Sequence, residues 1–252
     1  MRLFNSFLGL VLLLTSTIPV PAFALQQDGV SIAVLDLPHL FQPDKQGFYD
    51  KLFAEMQKAG IVKSWQIVPP NRSSRMMMAG EVDCKAPLSL NVSKKLGFEE
   101  GSIVFSKPFN YTLGHIVSPK DHPALKDRSL LKGKSVGTVK MGKIYGVPEE
   151  MLFEPVAYRS YDTLVEAIER GHVEFGYFIS PDLHFSDRGR MFFTKHKKNS
   201  FVIWRGIESI ACNKQHAASI PKMNAVINRF IENNKSNAYL SATLPQHDLS
   251  QP

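Results

Sequence analysis

The sequence lacks a short motif typical of zinc proteases. It contains no His-Glu-x-x-His segment, the usual signature of that enzyme class. Its eight histidines show no spacing typical of metal ligands. From these absences we expect a non-enzymatic protein with no catalytic residues, no metal and no cofactor.

Long apolar runs are absent beyond the N-terminus. Arg2 precedes an apolar run from Leu8 to Leu14, and Ala22-Phe23-Ala24 then offers a small-x-small cleavage site. The run is short for a membrane span, so a membrane anchor is the less favoured alternative. No cysteine lies near the cleavage site to accept a lipid. We expect a signal peptide over residues 1–24, cleavage after Ala24, and a soluble periplasmic chain that begins at Leu25.

Cysteine is scarce, and the two present are Cys84 and Cys212. The oxidising surroundings of an exported protein permit a disulfide. Two buried thiols that pack as small hydrophobic groups are the alternative. The residues alone leave both possibilities open.

Acidic residues are fewer than basic ones. The chain has 30 Lys and Arg against 23 Asp and Glu, a net charge of +7 that becomes +6 when Arg2 is removed with the signal peptide. The densest basic patch, residues 195–198, is more typical of a solvated loop than of a nucleic-acid site, and export also argues against nucleic acid. A basic surface favours anionic ligands or the negative face of a membrane.

One pattern of predicted secondary structure occurs twice, in residues 69–89 and 161–180. Each copy reads as a helix, a glycine (Gly80 or Gly171), one residue, a valine, an acid and a strand. A glycine at a helix end supplies the left-handed backbone that lets the chain reverse. Two such units about 90 residues apart indicate two similar α/β lobes, and the alternation of strands and helices indicates largely parallel sheets.

Five segments occur in an order that resembles the type II periplasmic solute-binding proteins, specifically the family 3 group related to polar amino-acid receptors. The segments are Gly47–Asp50, Gly80–Asp83, Phe105–Phe109, Leu131–Gly137 and Leu164–Glu174. The succession from Val30 to Ile231 carries the resemblance, because none of the segments is specific by itself.

The resemblance implies an α/β fold of two lobes, each a mostly parallel sheet flanked by helices, joined by two hinge crossings near Tyr111–Ser118 and Arg205–Asn213. Lobe 1 would comprise residues 25–113 and the returning residues 206–252, and lobe 2 residues 114–205. The same fold places Cys84 and Cys212 on neighbouring strands, which favours a disulfide. It also implies a monomer that closes about its hinge on a solute and presents it to a membrane permease, as in ABC-type importers.

The expected site lies beyond the carboxyl ends of the strands, where helix N-termini point unpaired N–H groups at a ligand. An arginine there can hold a carboxylate through two hydrogen bonds, and an aromatic ring can stack on a cation. Core packing is the equally plausible role for Phe41, and solvation the alternative for Arg75. The predicted ligand-binding residues are His39, Phe41, Arg72, Arg75, Ser89, Lys143, Tyr161, Ser180 and Asp182.

Two departures from the family pattern bear on the ligand. The Thr-x-x-Arg segment that holds the α-carboxylate in amino-acid receptors is replaced by a stretch with Lys94 and Lys95 and no arginine. The acid expected at the end of the last strand is replaced by Ile179-Ser180, with Asp182 slightly later. We therefore expect a small polar or anionic solute that need not be an amino acid.

Two other functions fit the same fold. Some relatives are secreted cyclohexadienyl-type dehydratases, and such an enzyme would need a general acid such as Glu174 or Asp182 in the cleft. A ligand-sensing module is the third possibility. Sensors of this kind are usually fused to a membrane helix or a kinase, so the sequence favours the transport receptor.

Overall fold

The computed structural model of the protein describes residues 29–37, 39–119, 128–139, 153–180, 182–237 and 240. The expected signal peptide and Lys143 lie outside these residues. No helix within them is long and apolar enough to cross a membrane.

The described residues form nine β-strands and six α-helices in an α/β arrangement. The strands are β1 Val30–Leu35, β2 Val62–Val68, β3 Cys84–Leu88, β4 Ile103–Phe105, β5 Asn110–Val117, β6 Ser135–Val139, β7 Glu154–Tyr158, β8 Phe175–Ser180 and β9 Ser200–Asn213. The helices are α1 Phe48–Lys58, α2 Pro70–Met78, α3 Leu90–Lys95, α4 Tyr161–Glu169, α5 Asp187–His196 and α6 Ile220–Asn233.

The strands follow one path, β2-β1-β3-β9-β5-β8-β6-β7, with β4 paired to β9. β1 is parallel to β2 and β3, and β6 is parallel to β7 and β8. The path therefore contains two similar halves, one on each side of the pair formed by β9 and β5. This arrangement confirms two similar lobes, lobe 1 built around β1–β3 and lobe 2 around β6–β8.

The repeated helix–glycine–strand pattern accounts for this similarity. In lobe 1 it forms α2 and β3, and in lobe 2 it forms α4 and β8, each strand lying next to the central parallel strand of its lobe. Gly80 has φ 72° and Gly171 has φ 74°. A side chain at these φ values would be strained, so glycine is the residue that permits each reversal.

Two long strands join the lobes. β9 has 14 residues, pairs with β5 through residues 200–208 and continues beside β3 and β4 to Asn213. β5 pairs with both β9 and β8. Both predicted crossings fall on these strands. The lobe boundaries at 113/114 and 205/206 stay a prediction, since β5 and β9 pass through them without a break.

Each lobe has its own apolar core. In lobe 1, α1 and α6 cover one face of the sheet with buried residues such as Leu52, Met56 and Phe230. In lobe 2, α4 packs Leu164 and Ile168 against β8. These cores hold the strand ends of each lobe in place.

The two cysteines form a disulfide, as the resemblance implied. Cys84 of β3 and Cys212 of β9 are directly paired in the antiparallel register, and their Cα atoms lie 3.9 Å apart. This separation is inside the limit of about 7 Å for a bridge. The bond fastens the returning strand to the centre of lobe 1.

Candidate functional site

A cavity of about 170 Å³ lies where the strand ends of the two lobes meet. Lobe 1 contributes the ends of β1 and β3 and one side of α3, and lobe 2 contributes the end of β8 with the turn that follows it. β5 and β9 form part of the wall. The lining residues are Leu35, Leu37, Leu40, Lys85, Pro87, Leu88, Ser89, Val92, Leu96, Thr112, Tyr177, Ile179, Asp182, Trp204, Ile207 and Glu208.

The lining is mostly apolar with a few polar and charged groups. Such a composition is typical of small-molecule sites, where apolar walls exclude water and a few polar groups fix the orientation of the ligand. The position agrees with the rule that ligands of open α/β sheets bind beyond the carboxyl ends of the strands. The cavity is therefore the candidate ligand site.

Glu208 is a buried acid on β9, opposite Asn110 of β5. The hydroxyl of Tyr49 donates a hydrogen bond to its Oε2, and the Nδ2 of Asn110 donates to the Tyr49 hydroxyl at 2.7 Å. Burial raises the pKa of Glu208 to about 7, although hydrogen bonds from Tyr49 and Asn110 partly oppose that rise. The network fixes this carboxyl group where β5 and β9 cross between the lobes.

The start of α1 positions Tyr49 for this network. Asp50 Oδ2 accepts the backbone N–H of Gly47 at 3.0 Å, and Asp50 Oδ1 accepts the indole N–H of Trp65 at 2.8 Å. A carboxylate in the first turn satisfies N–H groups that the helix leaves without partners. The ring of Tyr49 also packs edge-on against Phe109, with ring centroids 4.9 Å apart.

Asp182 is a second acid at the cavity, in the short 3-10 turn that follows β8. Burial and the charge of Glu208 raise the pKa of Asp182 to about 8. Two acids from different parts of the chain thus face one cavity. Because like charges in a poorly solvated site oppose each other, at least one of them holds a proton near neutral pH.

Lys85 is the buried cation of the site. It lies on β3, is 3% exposed, and its Nζ donates a hydrogen bond to Ser74 Oγ on α2 at 2.6 Å. Burial lowers the pKa of Lys85 to about 8. Within the described part of the chain it takes part in no ion pair. An amine without a counter-charge is costly to bury, so it is a natural partner for a ligand.

Thr112 of β5 adds a hydroxyl that has no internal partner among the residues described. Its Oγ1 is buried without a hydrogen bond. The neighbouring Gly206 leaves room for it, because a Cβ there would lie 2.4 Å from that oxygen and 2.3 Å from the Trp204 ring. Buried hydroxyls are nearly always paired, so this oxygen is a candidate ligand contact.

An aromatic contact bridges the two lobes near the cavity. His39, in the loop after β1, stacks on Phe185 in the turn after β8, with ring centroids 4.8 Å apart and planes inclined by 17°. His39 has φ 68°, an uncommon backbone conformation for a residue other than glycine. The two rings form a contact that opening of the lobes would break.

The structure brings some of the predicted ligand residues to this region. Asp182 and Ser89 line the cavity, and Ser89 also caps α3 by accepting the N–H of Val92. His39 lies at the contact between the lobes. The backbone of Ser180 ends β8 opposite Leu113.

Other predicted residues lie elsewhere. Phe41 is 1% exposed and packs against Tyr49 and Phe53 in the core, the alternative role that the sequence left open for it. Arg72 and Arg75 are exposed on α2 and do not line the cavity as described. Tyr161 is buried, and its hydroxyl oxygen accepts the backbone N–H of Ile179 at 3.1 Å, so it stabilises the end of β8.

Sequence reasoning missed Lys85, Thr112 and Glu208. The signal available for two of them was a charged residue inside an apolar strand, in Cys84-Lys85-Ala86 and in Ile207-Glu208-Ser209. A charged residue is almost never fully buried unless it is paired, so a charge at such a position is unusual. Glu174, considered as a general acid, is exposed and lies outside the cavity. Among the described residues no group of His, Cys, Asp and Glu could hold a metal ion.

Comparison with known proteins is informative at the level of structure. No family model matches the chain, and no curated protein matches it. Solved structures do match. The GluR0 ligand-binding core in complex with L-glutamate has a TM-score of 0.57 at 12% identity, with 84% of this chain and 96% of that one covered.

Two further structures extend the likeness. Tv2483 bound to L-arginine has a TM-score of 0.56 at 15% identity, covering 86% of this chain and 92% of that one. The L-cystine solute receptor of Neisseria gonorrhoeae, in its unliganded open conformation, has a TM-score of 0.52 at 14% identity, covering 86% and 95%. At these identities the likeness concerns the fold. The chain therefore has the two-lobed fold of the type II periplasmic amino-acid-binding proteins.

Proposed function

We propose that this protein is an exported solute-binding receptor that captures a small solute between its lobes. The observation that carries the proposal is one cavity lined from both lobes, with Lys85, Asp182 and Glu208 on a mostly apolar wall. A solute that contacts both lobes binds the closed arrangement better than an open one. Its differential affinity would therefore drive closure.

The lining supports a solute with an apolar body and polar ends. Asp182 and Glu208 suit an ammonium group or another hydrogen-bond donor, and Lys85 suits a carboxylate or carbonyl oxygen. This modifies the expectation of a small polar or anionic solute, which followed from the two departures from the family pattern. Structures with this fold are described in complex with L-glutamate and L-arginine, which supports a small amphiphilic solute of amino-acid size.

In the proposed mechanism the paired strands β5 and β9 act as the hinge. The Tyr49–Glu208–Asn110 network lies at that crossing, and the contact between His39 and Phe185 helps to hold the lobes together. Hinge closure about a few positions is common in binding proteins of this kind. The closed monomer would then deliver its solute to a membrane permease of an ABC-type importer.

Thermal unfolding of residues 25–252 against amino acids, apolar amines, organic acids, polyamines and sugars tests the proposal. A solute at 100 times its dissociation constant adds about 2.7 kcal/mol to the free energy of unfolding, which is a clear rise in the midpoint. Asp182→Asn should reduce the rise for the responding compound. Asp187→Asn, on an exposed residue of α5, is the matched control and should leave it unchanged. The proposal fails if no compound raises the midpoint.

One observation favours a second function, that of a cyclohexadienyl-type dehydratase. Asp182 has its pKa raised to about 8, so it carries a proton near neutral pH and could serve as a general acid. Chromatography of each responding compound before and after incubation separates the two functions. A receptor leaves its solute intact, whereas a dehydratase consumes it. A ligand-sensing module would also leave it intact and would differ only in its partner protein.

A further inference from the structure

Lys85 differs from the other lysines of the protein in its surroundings. It is 3% exposed, whereas every other lysine whose side chain the structure describes is exposed. Lys85 lines a mostly apolar cavity, and its Nζ donates to Ser74 Oγ at 2.6 Å, with no carboxylate in ion-pair contact among the described residues. An aliphatic amine in such a place is chemically distinct from a solvated surface ammonium.

Burial leaves part of this amine uncharged near neutral pH. The pKa of Lys85 is lowered to about 8, so about one tenth of the amine is in its free-base form at pH 7. For a solvated lysine with a pKa near 10.4, that fraction is below about one in a thousand. Desolvation in an apolar pocket is a recognised way of making a lysine nucleophilic toward carbonyl compounds.

We propose that Lys85 captures small apolar aldehydes or ketones covalently, as an imine within the cavity. The lone pair of Nζ attacks the carbonyl carbon and forms a carbinolamine. The carbinolamine hydroxyl then leaves with the hydrogen of the amine as water, and a carbon–nitrogen double bond remains. Nothing is oxidised or reduced in this condensation, and hydrolysis reverses it.

The remaining lining of the cavity suits this chemistry. Asp182 is a carboxyl group of the same cavity whose pKa is raised to about 8, so it holds a proton near neutral pH and is available to protonate the departing hydroxyl. Apolar neighbours such as Leu88 and Val92 limit access of water to the imine. A volume of about 170 Å³ restricts the carbonyl compound to a small one.

This covalent activity goes beyond the non-covalent capture proposed above, and the two can fail separately. Non-covalent binding is measured by the rise of the unfolding midpoint with an unreactive solute. Imine formation is measured by a mass increase at one residue with a carbonyl compound. A protein that shows one and not the other distinguishes the two proposals.

The test uses the exported chain with 3-methylbutanal and sodium cyanoborohydride at pH 7, which reduces an imine to a stable secondary amine. Peptide mapping by mass spectrometry then gives the labelling rate of each lysine. We expect Lys85 to be labelled at least about tenfold faster than the exposed Lys51 and Lys63, because a pKa of about 8 gives Lys85 a free-base fraction about two orders of magnitude above the general value for a solvated lysine. Equal labelling of all lysines, or slower labelling of Lys85, overturns the proposal.

Two variants strengthen the assignment. Lys85→Met keeps the apolar stem and removes the amine, so the fast adduct should disappear, whereas Lys51→Arg should leave it in place. A fast adduct that persists in Lys85→Met refutes the assignment to Lys85. The map of the unaltered protein gives an answer even if Lys85→Met does not fold.

Discussion

Replacing Asp182 with asparagine should change how the stability of the protein depends on pH. The folded protein raises the pKa of this carboxyl from 3.8 to about 8, through burial and the charge of Glu208. Between these values the folded state binds more protons at Asp182 than the unfolded state does. The stability associated with the neutral acid is therefore complete below about pH 4 and is lost as the pH rises through about 8. Asparagine cannot ionise, so the variant avoids this loss.

The size of the effect follows from the same values. A difference of about four pH units corresponds to about 5 kcal/mol for a carboxyl group fully removed from water. The side chain of Asp182 keeps part of its surface open to the cavity, so solvent reduces that figure. As the pH rises from 4 to 8, the unaltered protein should lose about 2–3 kcal/mol more of its free energy of unfolding than the variant does.

Urea unfolding of both proteins at four or five pH values in this range measures the difference. Asp187→Asn is the control, because this side chain is 83% exposed. A surface substitution of this kind changes stability by about 0.5 kcal/mol or less. If the curves for Asp182→Asn and the unaltered protein run parallel within the same margin, Asp182 is not held in a poorly solvated site and the reasoning is refuted.

Three further predictions concern the disulfide, the cavity wall and Arg72. Replacing both Cys84 and Cys212 by serine should lower the free energy of unfolding by about 2–5 kcal/mol, because the unfolded chain is then no longer held in a loop of 128 residues and has more conformational entropy. A loss under about 1 kcal/mol in urea unfolding would contradict this. Gly114→Ala places a Cβ 2.3 Å from the hydroxyl of Tyr177, which lines the cavity, so the ring must move and the midpoint rise caused by the solute should shrink. Arg72→Ala should leave the dissociation constant of the solute unchanged, because this exposed side chain does not line the cavity, and weaker binding by calorimetry would return Arg72 to the site.

Much of the fold could be predicted from the sequence, because the apolar strands and the glycine turns are local signals. Gly80 and Gly171 end their helices as predicted. α5 was not predicted, since its basic and polar residues give a weak helical pattern. The pairing of Cys84 with Cys212 is a contact over 128 residues, and it came from the resemblance.

The site was harder to predict, because it depends on which face of each strand is turned to the cavity. Ser89 and Asp182 follow strand ends, as the rule about carboxyl ends requires, and both line the cavity; that they bind a ligand stays a prediction. Lys85 and Glu208 lie inside strands, and the rule concerns only residues that follow strand ends. Phe41 follows β1 as the rule requires, yet its large apolar ring gains more from the core than from the cavity.

The position of the disulfide has a consequence for how the protein responds to proteases. The bond joins residues 84 and 212, so the chain between them is a closed ring that contains β5–β8 with α4 and α5, all of lobe 2 as described. A single cut within that ring opens it without separating the two pieces. Such a cleavage would leave one molecule on a non-reducing gel, and the two fragments would separate only after reduction.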